Sequence, residues 1–324
     1  MGNVYTKSGA LARRIYFGAT TVWENLYYFL QKRVLADGGT FVENDVLISD
    51  DGASFILTPN AYKVGKLYSA KPDFGAGDFT VVRNSTATYI DEDGLIKTAL
   101  SNVPRIDWST GNAVILRELQ GINLIPYSNN FIIAWANKNL LTIDNTEILD
   151  PDGNNTASLF NASDSASYVY ETFSVIAETT YTFSFYVKQG ASTGNKFGIY
   201  DNSNSAFINQ NIPYNTTSEW VRVTNTFTTP IGCISIRAYI LRNLTTPGTF
   251  SVFGAQLEKA STVSSYIPTN GTTVTRLADN ISVPTPAGVT SITETIDGVE
   301  QTPITTIPAT YSLPVGNINK VKML

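Results

Sequence analysis

Two acidic loops carry the residue types most able to do chemistry. The first is "ATYIDEDGLIKT", in which Asp91, Glu92 and Asp93 run into Gly94. The second is "DPDGNN", in which Asp150, Asp152 and Asn154 alternate. Oxygen-bearing side chains at alternate loop positions are what a calcium site needs. Asp91 and Asp93 fit the first two positions of a helix–loop–helix calcium loop, but its glycine comes too early and Asn102 stands where the closing glutamate belongs. A strand–turn–strand reading accounts for the stretch, with glycine at the left-handed turn position and "TATYI" and "LIKT" as strands. Asp150, Asp152 and Asn154 remain metal candidates, against the reading of Pro-Asp-Gly as a turn. Glycosidases need two carboxylates facing a sugar from separate positions, which adjacent acids in one loop do not supply.

The rest of the composition narrows the chemistry further. Histidine is absent from the 324 residues, which removes Ser-His-Asp and Cys-His catalysis and imidazole-based zinc sites. The single cysteine, Cys233, lies in the strand-like run "CISIRAYIL" with no basic activator beside it and reads as a small apolar residue. An intrachain disulfide is impossible, so the fold must stand on its core or on self-association. Neither catalytic residues nor a cofactor are expected. A net charge of −5 with no basic stripe argues against nucleic acid as a partner.

The elements that would position any site are mostly strands. Hydrophobic residues make up 43% and charged residues only 15%, with Thr, Ser, Asn, Gly and Tyr filling the difference. That composition suits an all-β, loop-rich protein. Between Asn123 and Glu258 the alternation is plain: Tyr181, Phe183, Phe185 and Val187 share one face of "YTFSFYVKQ", and Ile234, Ile236, Ala238 and Ile240 oppose Ser235, Arg237 and Tyr239. With "EWVRVTNTFT", "TASLFNA", "SYVYETF", "KFGIYD" and "TFSVFGAQLE", about eight antiparallel strands are expected in a jelly-roll-like sandwich. Aromatics on such a sandwich stack on sugar rings or fill the core. Tyr168, Tyr170, Tyr186, Tyr200, Tyr214, Trp220 and Tyr239 are candidates whose roles the alternation alone does not separate.

Four segments are expected. Residues 1–39 read as a helical anchor or oligomerisation segment, with Ile15, Val22, Leu26 and Leu30 at helical spacing, although Thr20, Thr21 and Val22 weaken its middle. Tyr16, Trp23 and Tyr27 widen its apolar surface, so these seven residues are docking candidates. Glu24, Asn25, Gln31, Lys32 and Arg33 interrupt it too soon for a membrane span. Residues 40–122 read as a small hairpin-rich β region, 123–276 as the sandwich, and 277–324 as an extended C-terminal β segment. That last segment holds Pro284, Pro286, Pro303, Pro308 and Pro314, a hairpin at "IDGVE" and a final strand at "INKVKML", and is expected to have little core of its own.

Three ordered stretches carry a resemblance. They are "YKVGKLYSAKPDFGAGDFTVVRNSTATYIDEDGLIKTALSNVPRIDW" (62–108), "VILRELQGINLIPYSNNFIIAW" (114–135) and "GAQLEKASTVSSYIPTNGTTVTRLAD" (254–279). Together they resemble a module of phage virion appendages, the head and tail fibres of Bacteroides phages and prophages, crAss-like head fibres in particular. The resemblance runs from about Ala61 to the C-terminus. It departs at Gly121, where the related pattern has an arginine. The resemblance implies a non-enzymatic structural protein on the phage particle surface, made in the bacterial cytoplasm. It also implies a homotrimer whose N-terminal segment contacts capsid or other virion proteins. The alternative is a tail-fibre or receptor-binding adhesin whose sandwich binds host surface polysaccharide.

Overall fold

The computed structural model describes residues 53–59, 79–135 and 137–324 and, outside these, the backbone of three short strand pairs. Two of these pairs are Thr40–Glu43 with Val46–Ser49 and Tyr62–Lys63 with Lys66–Leu67. The third, Tyr16–Phe17 with Thr20–Thr21, falls where a helix was expected. Branching at Cβ in Thr20 and Thr21 favours extended backbone. The docking candidates Ile15, Val22, Trp23, Leu26, Tyr27 and Leu30 lie outside the described residues, and only the backbone of Tyr16 is described.

The protein is almost entirely β, and every described strand pair is antiparallel. A four-residue helix, Phe131–Ala134, is capped by Asn130, whose Oδ1 accepts from Ile133 N. The chain divides into two compact units: residues 1–83, 102–118 and 279–324 form one, and 84–101 with 119–278 form the other. These units interleave along the chain.

The second unit is a sandwich of ten strands. They are β1 (Asn137–Asn139), β2 (Leu141–Ile148), β3 (Ala157–Ala162), β4 (Tyr168–Ser174), β5 (Thr180–Gln189), β6 (Lys196–Asp201), β7 (Ala206–Pro213), β8 (Val221–Thr228), β9 (Ser235–Asn243) and β10 (Gly248–Glu258). The front sheet has the order β1-β4-β9-β6-β7 and the back sheet β2-β3-β10-β5-β8. Each inner face follows the period-2 alternation. Tyr181, Phe183, Phe185 and Val187 of β5 meet Val169, Phe173, Phe197, Ile199, Ile236 and Ala238 of the front sheet in one core. Trp135 is fully buried there against Phe131, Phe173 and Phe183. Strands β1, β2 and β7 escaped the sequence reading because their Asn, Asp and Gln residues blur the alternation.

Strand β10 contains a device that sets everything on the back of the molecule. Its register against β5 shifts between Ser184 and Tyr186, opposite Gly254, whose φ is +62°. A glycine in the left-handed region accommodates the extra residue of such a bulge. Val252 before the bulge and Ala255 and Leu257 after it all face the core. A strictly alternating strand would have sent Gln256 inward with Val252.

The other unit has its own core, built from three distant stretches. Its larger sheet runs Arg105–Asp107, Val114–Arg117, Gly316–Met323, Ile292–Ile296 and Val299–Glu300, with Phe55–Leu57 also pairing to Gly316–Met323. Thr310–Ser312, Asn280–Pro284 and Thr80–Val82 form a three-stranded sheet. Phe55, Leu57, Phe79, Ile115, Ile281, Val283, Ile292, Tyr311, Ile318 and Val321 pack between them. The C-terminal segment supplies Ile281, Val283, Ile292, Tyr311, Ile318 and Val321 to this core, which it shares with the earlier stretches. Its "IDGVE" stretch is a hairpin, with Asp297 and Gly298 both at positive φ (52° and 76°), as a two-residue turn of this kind requires.

Candidate functional site

Both acidic loops are turns. Asp91 Oδ1 accepts from the backbone N–H of Leu95 at 2.8 Å and of Asp93 at 3.1 Å, between strands Ala87–Ile90 and Ile96–Ala99. Gly94 takes a φ of +80° at the turn. Asp150 is 1% exposed and turns its carboxylate inward: Oδ1 accepts from Asn154 N at 2.8 Å, and Oδ2 from Thr156 N at 2.9 Å. The two loops are tied together, since Ile96 N donates to Pro151 O at 2.8 Å. Burial pushes the Asp150 pKa up, but hydrogen bonds from Asp152, Thr156 and Asn154 outweigh it and hold it low. Asp152 is pushed up to about 6 by burial and by sharing a hydrogen bond with Asp150. Asn154 donates from Nδ2 to Asp152 Oδ1 at 2.8 Å. Among the described residues there is no group of three or more acids or cysteines placed to hold a metal.

The residues that carry the appendage resemblance have structural work within each unit. In the sandwich unit, Gln256 Oε1 accepts from Ile267 N at 2.6 Å, and Glu258 Oε2 accepts from Ser264 N at 3.1 Å. The hydroxyls of Tyr266 and Ser128 lie 2.6 Å apart, and Asn123 Nδ2 donates to Ala255 O and Ile267 O. This latch folds residues 258–269 over the back sheet. The hairpin Ala87–Ala99 covers the sheet too, burying Ile96 with Phe253 and Tyr266. At Gly121 an added Cβ would stand 3.0 Å from Glu258 Oε1 and 3.2 Å from Arg276 Nη2. Arg276 occupies that space and donates from Nη2 to Leu119 O at 2.9 Å.

In the other unit, the charged signature residues converge. Arg83 Nη1 meets Asp279 Oδ1 at 2.7 Å, Arg105 Nη2 meets Asp279 Oδ2, and Arg105 Nη1 meets Glu118 Oε2 at 2.8 Å. Arg83, Arg105 and Asp279 have no exposed side-chain surface.

The seven candidate aromatics separate into three places. Tyr214 lies in the core against Phe185 and Phe197, where burial pushes its hydroxyl pKa far up. Tyr186 and Trp220 pack on Phe253 behind the back sheet. Tyr168, Tyr170, Tyr200 and Tyr239 gather on the outer face of the front sheet. Tyr170 and Tyr239 have ring centroids 4.8 Å apart, and Tyr168 lies 6.0 Å from Tyr170. Phe207, which the sequence reading missed, extends the row, 4.9 Å from Tyr200 and 6.2 Å from Tyr239. Its signal was the step from outward Phe207 to core-packed Ile208, diluted by Asn209, Gln210 and Asn211.

Arginines lie between these rings. The Arg237 guanidinium is 5.0 Å from the Tyr170 ring centroid and 5.4 Å from that of Tyr200. Arg242 lies 5.5 Å from Phe207 and 5.8 Å from Tyr239. Register places Asn137 beside Tyr170 and Asn139 beside Tyr168. Tyr239 is nearly buried at the base, its pKa raised by burial against the opposing pull of Arg237 and Arg242. Tyr168, Tyr170, Tyr200 and Phe207 are half-exposed. Next to Phe207, at the end of the sandwich and apart from the outer face, lies a cleft of about 840 Å³ lined by Glu178, Asp201, Asn204, Ile208, Thr228 and Ile231. Cys233 is buried and free, its thiol pushed up to about 11 by burial and by Asp201. No described helix is long and apolar enough to cross a membrane.

A protein-family model described as "Carbohydrate binding domain" matches residues 155–237, which span β3 to the start of β9. No curated protein matches the chain. Among solved structures, the chain is similar to the CBM22-1 xylan-binding domain of Paenibacillus barcinonensis Xyn10C, at 12% identity, with a TM-score of 0.34 over 46% of this chain and 98% of that one. It is similar to a structure described as "CBM4 structure and function" at 14% identity, with a TM-score of 0.30 over 44% and 86%. It is also similar to the enzymatically active domain of bacteriophage CBA120 tailspike protein 4, at 10% identity, with a TM-score of 0.33 over 42% and 21%.

Proposed function

We propose that this chain is a non-catalytic polysaccharide-binding protein of a phage virion appendage, and that the outer face of the front sheet is its glycan surface. The observation that carries the reading is the row Tyr168, Tyr170, Tyr239, Tyr200 and Phe207 on one sheet face. Sugar rings present C–H faces that pack on aromatic rings, while amides such as Asn137 and Asn139 bond hydroxyls. The carbohydrate-binding family match over residues 155–237 supports it, because that stretch includes Tyr168, Tyr170, Tyr200, Phe207 and Arg237. The acids that could suggest hydrolysis are occupied in turns, which favours binding over cleavage.

The virion role rests on the three-part resemblance described from sequence. It implies a trimer on head or tail fibres, an arrangement that would repeat the face and raise avidity for a polymer. The test is affinity electrophoresis of the full chain in gels containing capsular polysaccharide from host bacteria. Retardation is expected, weakened about tenfold or more by Tyr170→Ala or Phe207→Ala. Equal mobility with and without every polysaccharide tried, or release of reducing ends, would remove the reading.

A further inference from the structure

We infer that the front-sheet face selects acidic, carboxylate-bearing polysaccharide over neutral polysaccharide. The inference rests on the reading of that face as a glycan surface. The sign of the face carries it. The chain has a net charge of −5, yet the outward charged residues of the front-sheet strands are cations. Arg237 and Arg242 lie among the rings, and Lys196 shares the outer side of β6 with Tyr200, since Phe197 and Ile199 face the core. The two acids on these strands are turned elsewhere. Glu171 stands in register with Ala238, which faces the core. Asp201 is 1% exposed, with its oxygens accepting from Ser203 N, Asn204 N and Asn204 Nδ2.

Among the described residues, neither Arg237 nor Arg242 forms an ion pair; both lie over rings, and Arg237 also hydrogen-bonds the Tyr239 side chain, which leaves its other N–H groups to a ligand. A guanidinium packed over aromatic rings keeps its in-plane N–H donors available, and their spacing matches the two oxygens of a carboxylate. Uronic acids place such a carboxylate at the edge of a pyranose ring. A sugar lying on Tyr170 or Phe207 therefore brings its acid to Arg237 or Arg242. Hydroxyl recognition requires no such cations, and in a net-acidic chain a cationic, acid-free sheet face marks an anionic ligand.

The experiment measures binding of the full chain, by calorimetry and affinity electrophoresis, to polygalacturonate, alginate and hyaluronan. Each is paired with its carboxyl-reduced counterpart, and dextran sulfate and neutral xylan are included. At least one uronate polymer is expected to bind tenfold or more tighter than its reduced counterpart, weakening as salt rises. Arg237→Gln and Arg242→Gln should each remove most of that preference while far-ultraviolet circular dichroism stays unchanged. Equal binding of acidic and reduced polymers, or binding of dextran sulfate alone, overturns the inference but leaves the glycan surface standing. No binding to any polysaccharide overturns both. The reduced polymers make the test independent of whether the arginine variants fold.

Discussion

Asp152, a metal candidate by its spacing, forms a hydrogen-bonded acid pair with Asp150. Its pKa stands near 6, raised first by burial and then by the shared hydrogen bond with Asp150. A carboxylic acid with a raised folded-state pKa stabilises the fold while protonated. That contribution is complete below about pH 4, the unfolded value, and is lost as pH rises through about 6. Asp150 works the other way, contributing above its ordinary range and losing it at lower pH. In Asp152→Asn an uncharged amide replaces the acid, and its N–H can donate to Asp150. The variant should match the wild type at pH 4.5 and exceed it at pH 8 by about 1 kcal/mol, allowing for solvent screening of a half-exposed group. That is about 2–4 °C in Tm. Thermal melts at the two pH values decide it: a gap that does not grow with pH removes the coupling of this pair to stability. The spacing of Asp150, Asp152 and Asn154 was visible in the sequence. That Asp150 would spend both oxygens on the backbone of its own turn was not, because a calcium loop and this turn share the same residue types.

Strand β10 carries the next lesson. Gly254 sits in the left-handed region, and a Cβ there would come 3.1 Å from Tyr186 Cδ2 and 3.2 Å from Tyr266 Cε2. Gly254→Ala therefore meets both a backbone penalty and two rings that must give way. A loss of about 1–3 kcal/mol is expected in urea unfolding. Fluorescence of the surrounding tyrosines and Trp220 should change with it, since the latch of Gln256 and Glu258 depends on the same bulge. A loss under 0.5 kcal/mol would mean that the bulge tolerates a side chain and the latch is not set by it. Strands such as β5 were legible because both requirements, alternation and an apolar inner face, are written into Tyr181, Phe183, Phe185 and Val187. The sorting of outer-face aromatics was not legible. Tyr186 and Tyr239 obey the same period, and what distinguishes them is the hairpin Ala87–Ala99 with residues 258–269 on one side of the sandwich. Covering of that kind comes from residues some 70 to 100 positions from Tyr186 and leaves no local trace.

At the level of the chain, one peptide builds two cores by passing between units at 83/84, 101/102, 118/119 and 278/279. The second core was illegible in sequence because Phe55, Ile115 and Ile318 belong to three stretches far apart in the chain, and nothing local shows that they meet. Besides the shared core and strand pairing, buried charge joins those stretches. Asp279 accepts from Arg83 and Arg105, both without exposed side-chain surface, and its backbone carbonyl accepts from Arg117 Nε at 2.8 Å. A buried ion pair need not add net stability, but removing one partner leaves the other charge stranded in a low dielectric. Asp279→Ala removes the carboxylate that two buried guanidinium groups share, although Arg105 keeps Glu118, and should cost about 3–5 kcal/mol. The loss belongs to one core only. Hydrogen exchange followed by mass spectrometry should show Ile292–Ile296 and Gly316–Met323 losing protection, while β5 and β10 exchange as slowly as before. Polysaccharide binding by the front sheet should persist in the variant at 25 °C. Equal loss of protection in β5 and β10 would show that the two cores unfold as a single cooperative unit, and that the signature charges hold the sandwich as well as the core they lie in.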